Sequence, residues 1–154
     1  MFYDWRFDRN GQPNDFVLNN PKYSGRQIML ARDNFGSGSS REHAVWAILD
    51  YGFRAIIAPS FADIFYNNCF KNGLLPVRLK SDELDYLFRN GDLDIEIDLA
   101  NQLVVTCERK MFFEIDEFRK KLVLEGLDII GLTLQFENHI MKHERKSQTF
   151  APSL

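Results

Sequence analysis

Residues 36–44 read Gly36-Ser37-Gly38-Ser39-Ser40-Arg41-Glu42-His43-Ala44, a glycine-rich loop that runs into a helix start carrying paired hydroxyls and a guanidinium. Upstream, Gln27-Ile28-Met29-Leu30-Ala31 predicts a short buried strand, and downstream Glu42 to Tyr51 predicts a helix. Strand, loop and helix in that order open an α/β unit. Unpaired backbone N–H groups at the helix start, with the positive end of its dipole, favour a carboxylate or phosphate against the loop. Two common phosphate loops are excluded by residue identity. The stretch has no lysine ahead of its hydroxyls, and Arg41 stands where a dinucleotide turn needs a third small residue. The expected anion is therefore not a nucleotide.

Working outward, the same alternation continues. Arg54 to Ala58 predicts a strand, Ser60 to Phe70 a helix, and Leu75 to Leu79 another strand. Ser60 is the expected N-cap, Asp63 lies in the first turn and Gly73 just past the end. Ser81 to Arg89 places Leu84, Leu87 and Phe88 on one helical face. The period then changes: the segments around Ile95–Ile97, Leu103–Thr106 and Lys110–Ile115 predict an antiparallel meander with turns at Ala100-Asn101 and Arg109-Lys110. Asp116 would cap a helix through Leu124, ended by Gly126 ahead of a second helical run to Phe136. The first two dozen residues, broken by Asn10-Gly11-Gln12-Pro13-Asn14 and Asn19-Asn20-Pro21, predict turns between short extended pieces.

Composition bounds the answer further. The 154 residues are 45% hydrophobic with 14 phenylalanines, enough apolar surface for one folded domain. A formal charge of −3, with scattered basic residues, gives no reason to expect nucleic acid. No apolar run approaches a membrane span, and the N-terminus lacks a secretory pattern, so the expected address is cytoplasmic. Cys69 and Cys107 are too far apart for a thiolate-bound cluster, and both read as small buried side chains rather than a disulfide. His139 and His143 are four apart, a zinc-like spacing, but no third ligand is apparent, so a solvated face is the better reading. Phe61, Phe65 and Phe70 follow helical spacing and read as core.

The motif Gly38-Ser39-Ser40-Arg41-Glu42-His43-Ala44 resembles the signature of the aconitase superfamily swivel domain. Five further blocks, Asp4–Phe7, Tyr51–Phe53, Ala58–Phe65, Gly73–Val77 and Gly126–Leu134, resemble the small-subunit family of bacterial 3-isopropylmalate dehydratases. The likeness runs from Asp4 to about Gln135. It implies an α/β, barrel-like swivel domain with a mixed sheet and flanking helices. It also implies a hydro-lyase of leucine biosynthesis that isomerises 2- and 3-isopropylmalate by dehydration and rehydration. The partner would be a large subunit bearing a 4Fe-4S cluster, with no cofactor or metal on this chain, and the substrate a small alkylmalate.

Residue by residue, the resemblance makes Ser39 the catalytic base and Ser40 and Arg41 the binders of substrate carboxylate. A serine hydroxyl is too weak an acid to serve unaided, so nearby N–H groups and Arg41 would have to stabilise its anion. Gly36, Gly38, Glu42 and His43 would support the loop, and Ser37 carries no assigned role. A plainer reading of Ser39-Ser40-Arg41-Glu42 is a capping box, which is compatible with the catalytic one. Two other functions fit the same residues: a related hydro-lyase acting on homoaconitate or another alkylmalate, and a noncatalytic anion-binding assembly module. Relatives carry an Asp-Thr-Asp motif and a substrate-selecting loop ahead of the Asp-Trp-Arg block. With Met1 close before that block, the expectation is a swivel domain over residues 1–140 lacking its usual N-terminal segment, its apolar faces partly uncovered, and a polar tail over 141–154, frayed beyond Arg145.

Overall fold

The computed structural model describes residues 1–91, 93–126, 129–134 and 136–147. In chain order these form α1 (Tyr3–Arg6), two 3₁₀ turns (Val17–Asn19 and Pro21–Tyr23), β1 (Ile28–Leu30), α2 (His43–Tyr51), β2 (Ala55–Ala58), α3 (Asp63–Lys71), β3 (Leu75–Arg78) and α4 (Ser81–Arg89). Then come β4 (Glu96–Asp98), β5 (Leu103–Val105), β6 (Lys110–Phe112), α5 (Glu117–Glu125), α6 (Ile129–Leu134) and α7 (Glu137–Ser147).

β1, β2 and β3 form a parallel sheet in that spatial order, with Met29 opposite Ile56 and Ile57 opposite Val77. Every residue of β2 is buried, as a central parallel strand covered on both faces must be. Burying Ile56 and Ile57 completely stabilises the fold by about 1.5–3 kcal/mol each. Pro76, which has no N–H to donate, sits on the edge strand β3 where it does least harm. β1 was expected to be buried; as the opposite edge it is only half-buried, and Ala31 just beyond it is buried.

Helices α2 and α3 make the two crossovers and touch one another, while α4 packs against β2. The antiparallel set β4-β5-β6 forms its own sheet, joined to the same core through Val104, Met111 and Phe113. The α/β architecture, with parallel and antiparallel strands and flanking helices, is thus the expected one, the two strand types occupying separate sheets. α5 is capped by Asp116, whose Oδ1 accepts from the Arg119 N–H at 3.2 Å, and ends at Gly126 with φ +62. Phe61, Phe65 and Phe70 are core, as expected.

The N-terminal segment differs from the turn-linked extended pieces expected. α1 and the 3₁₀ turns are knotted by Asn19, which accepts from Arg6 Nε at 2.9 Å and donates to the Arg6 carbonyl at 2.6 Å. Tyr51 Oη, at the end of α2, donates to the Leu18 carbonyl at 2.7 Å, so side-chain bonds rather than strand pairing dock this segment. α7 runs from Glu137 to Ser147 and so takes in the first residues of the polar tail. Leu127 and Asp128 of the Gly126–Leu134 block, and residues 148–154 of the tail expected to fray, lie outside the described residues.

Candidate active site

The 31–42 loop leaves the C-terminal end of β1 alongside the loop that leaves β2, and the two are laced together. The Asn34 N–H donates to Ser60 Oγ at 2.8 Å, Phe35 N–H to the Ser60 carbonyl at 3.1 Å, and Ala62 N–H to the Phe35 carbonyl at 2.9 Å. Ser60 is therefore spent across the sheet and does not cap α3; that helix starts after Ala62, without a side-chain cap. Gly36 adopts φ +86, and a Cβ there would lie 2.2 Å from Phe65 Cγ. No other residue fits both requirements. Beneath it Phe35, Phe61 and Phe65 pack as an aromatic cluster with centroids 5.4–6.5 Å apart. Gly38, by contrast, has an ordinary φ and nothing within 4 Å of a built Cβ, so the space beside it is open.

Two successive turns follow, Ser37 N–H to the Asn34 carbonyl and Ser39 N–H to the Gly36 carbonyl, each at 3.3 Å. They deliver Ser39, half-buried, to the wall of a cleft of about 690 Å³. Leu30, Phe35, Ala44, Ile48 and Phe65 give that cleft apolar walls, and Phe2, Trp5 and Phe16, packed ring on ring, form its rim. Ser40 and Arg41 are exposed and lie outside the cleft lining. The Arg41 guanidinium makes no ion pair or hydrogen bond among the described residues, leaving its planar fork available for a carboxylate.

The capping box does not form. Ser39 Oγ accepts from the Arg41 N–H at 3.3 Å, and α2 begins at His43, after a turn closed by the Arg41 and Glu42 carbonyls. The N–H groups of Glu42 and His43 find no acceptor among the described residues. The Glu42 carboxylate turns instead to Asn72 at the end of α3, accepting from Nδ2 at 3.5 Å. His43 is exposed and rests against the Trp46 ring, centroids 4.7 Å apart, without touching Ser39. No side-chain carboxylate or imidazole hydrogen-bonds Ser39 among the described residues, so a serine–histidine relay is not assembled here. What the arrangement offers is a hydroxyl facing a cleft, free backbone donors beside it and an unpaired guanidinium, the equipment for an anion.

The remaining chemistry-bearing residues lie elsewhere. Arg32 lines the cleft but bonds to Asp85 and stacks 4.2 Å over Phe88; that bond holds the Asp85 carboxyl below its usual range. Cys69 is buried, and desolvation pushes its thiol up to about 12. Cys107 is exposed, against expectation, because it sits in the turn between β5 and β6. His139 and His143 are both exposed, and no three His, Cys, Asp or Glu side chains among the described residues gather as a metal site. Among those residues, no helix is long and apolar enough to cross a membrane. Sequence reasoning missed Trp46 and Asn72; the one signal was an indole N–H on an otherwise apolar helix, which needs an acceptor from somewhere.

Known proteins match this arrangement. The family model described as the aconitase C-terminal domain matches residues 1–82. A 3-isopropylmalate dehydratase small subunit from Brevibacillus brevis is 52% identical over 152 residues, covering 95% of this chain and 78% of that relative. One of the same name from Paenibacillus polymyxa is 50% identical over 153 residues, covering 95% and 85%. The crystal structure of 3-isopropylmalate dehydratase (leuD) from Methanocaldococcus jannaschii superposes with a TM-score of 0.57 at 31% identity, covering 76% of this chain and 68% of that one.

Proposed function

The chain belongs to the 3-isopropylmalate dehydratase small-subunit family, hydro-lyases of the aconitase superfamily, and on that premise we propose that it completes the active site of a heterodimeric dehydratase in leucine biosynthesis. The substrate is an alkylmalate, 2-isopropylmalate, which loses water and regains it in the opposite sense to give 3-isopropylmalate. The partner is the large subunit, and the setting is the cytosol, where two free cysteines stay reduced. Among the described residues no three His, Cys, Asp or Glu side chains gather to hold the implied 4Fe-4S cluster, and Cys69 is buried with its thiol protonated, so this reading assigns the cluster to the large subunit.

The observation that carries this reading is the placement of Ser39 on the cleft wall at the end of a pinned loop, with the uncommitted Arg41 two residues on. Ser39 Oγ takes the proton next to a substrate carboxylate and returns it during hydration. Arg41, with the Ser40 hydroxyl, grips that carboxylate, the fork of the guanidinium spanning both oxygens. The Arg41 N–H already directed at Ser39 Oγ, and the open N–H groups of Glu42 and His43, supply positive potential where the alkoxide forms. The apolar walls suit the alkyl group, and the exposed Trp5 and Val17 on the cleft rim suit burial by a second subunit.

Reconstitution tests it. Mixed with a cluster-loaded large subunit, the chain should turn over isopropylmalate through an absorbing unsaturated intermediate, and Ser39→Ala should lower kcat by about 10²–10⁴-fold with native circular dichroism. Full activity in Ser39→Ala would remove the base assignment, and a strong preference for homoaconitate would change the substrate.

A further inference from the structure

Asn72 stands at the C-cap of α3, 30 positions beyond Glu42, yet its side chain bonds to the first turn of α2. Its Oδ1 accepts from Trp46 Nε1 at 2.6 Å, while its Nδ2 donates to Glu42 Oε1 at 3.5 Å and to the Asn68 carbonyl at 2.8 Å. The amide orientation is forced: turned over, it would set a nitrogen against the indole N–H and an oxygen against two acceptors. Glu42 and Trp46 are four residues apart on one face of α2, so a single amide holds both ends of its first turn.

That turn needs such a tie. α2 has no side-chain cap, the Ser39–Glu42 capping box is absent, and Arg41 is held through its backbone, its N–H donating to Ser39 Oγ at 3.3 Å and its carbonyl accepting from the Ala44 N–H at 3.2 Å, while its guanidinium makes no hydrogen bond or ion pair among the described residues. We infer that Asn72 is a positioning residue for the carboxylate grip: by holding Glu42 and Trp46 it fixes where the Arg41 backbone leaves the loop and so where the guanidinium reaches. The inference rests on the functional reading above and deepens it, adding a residue from a different helix to the machinery.

The test uses the reconstituted heterodimer. Asn72→Asp is nearly isosteric and keeps the acceptor for Trp46, but it sets a carboxylate oxygen against Glu42 and the Asn68 carbonyl where a donor stood; the first of these contacts is the one a change at Glu42 can restore. KM for isopropylmalate should rise about tenfold while kcat changes by less than about threefold, the pattern of lost carboxylate binding. Adding Glu42→Gln restores a donor–acceptor pair with the roles exchanged, and KM should return to within about threefold of the parent. The rescue ties the effect to the Glu42 contact, and the split separates the roles, since a purely structural role would lower kcat and thermal stability along with the rise in KM. An unchanged KM in Asn72→Asp, or no recovery in the double variant, overturns the inference. Ser39→Ala in the same preparation separates the two claims: if it retains activity, or the parent pair is inactive, the functional reading fails. The positioning claim is then decided by amide exchange at Ala44–Trp46, whose N–H groups donate to the Arg41 and Glu42 carbonyls, expected to quicken about tenfold in Asn72→Asp and slow again in the double variant; no change there overturns it.

Discussion

Gly36→Ala is the substitution that should hurt most for its size. The added methyl must occupy φ +86, which costs an L-residue about 1–2 kcal/mol. It must also enter space held by Phe65, with ring carbons 2.2–2.6 Å from the built Cβ, and Phe65 is only 2% exposed, so it cannot swing out. Overpacking of that kind costs about 1–3 kcal/mol. Together these destabilise by about 2–5 kcal/mol, a fall in Tm of about 4–20 °C for a domain of this size. Thermal and urea unfolding of the parent, Gly36→Ala and Gly38→Ala would measure it, the last being the control because its Cβ meets nothing and its φ is ordinary. Phe65→Ala in the Gly36→Ala background should recover the steric part, making the pair less damaging than the sum of the singles. Equal stability of Gly36→Ala and Gly38→Ala, or strictly additive losses, would refute this account of the loop.

Other consequences are simpler to check. With its thiol at about 12, Cys69 stays protonated at neutral pH, so alkylation of the native chain should modify Cys107 alone and reach both cysteines only after denaturation, as read by mass spectrometry. Asp116→Ala removes the cap on α5 and should cost about 1 kcal/mol in urea titration. The Asp98 carboxyl is held below its usual range by the side-chain and backbone N–H groups of Asn101; a depressed carboxyl stabilises the fold above its unfolded value and loses that contribution as pH falls through the folded one. Asp98→Asn should therefore flatten the acid side of the stability curve and leave the alkaline side unchanged.

How much of this was legible beforehand depended on distance along the chain. The strand–helix alternation from β1 to α4, the meander, and the Asp116 and Gly126 signals around α5 are written in local pattern, and the structure places them within a residue or two, except that α3 starts three residues late at Asp63 and β6 ends three residues early at Phe112. The departures in helix capping involve partners far away. Ser60 reads as a cap but bonds across to Asn34, 26 positions earlier; Glu42 reads as half of a capping box but turns to Asn72. A polar side chain near a helix start has several acceptors and donors within reach once the chain is folded, and spacing reports only the local one. The N-terminal segment was misread for the same reason, since Asn19 and Tyr51 organise it through side chains that carry no period. Ser39, Ser40 and Arg41 are candidates through motif resemblance, which cannot say that the serine lines the cleft while the arginine stands outside it.

The lacing of the two loops by Ser60 has a consequence for assembly. A segment strapped to its neighbour through three bonds and wedged over an aromatic ring has surrendered its freedom during folding, so a docking subunit meets a finished template rather than a pliable one. Recognition between the two chains should then be governed by rigid complementarity, with little heat-capacity signature from ordering at this loop.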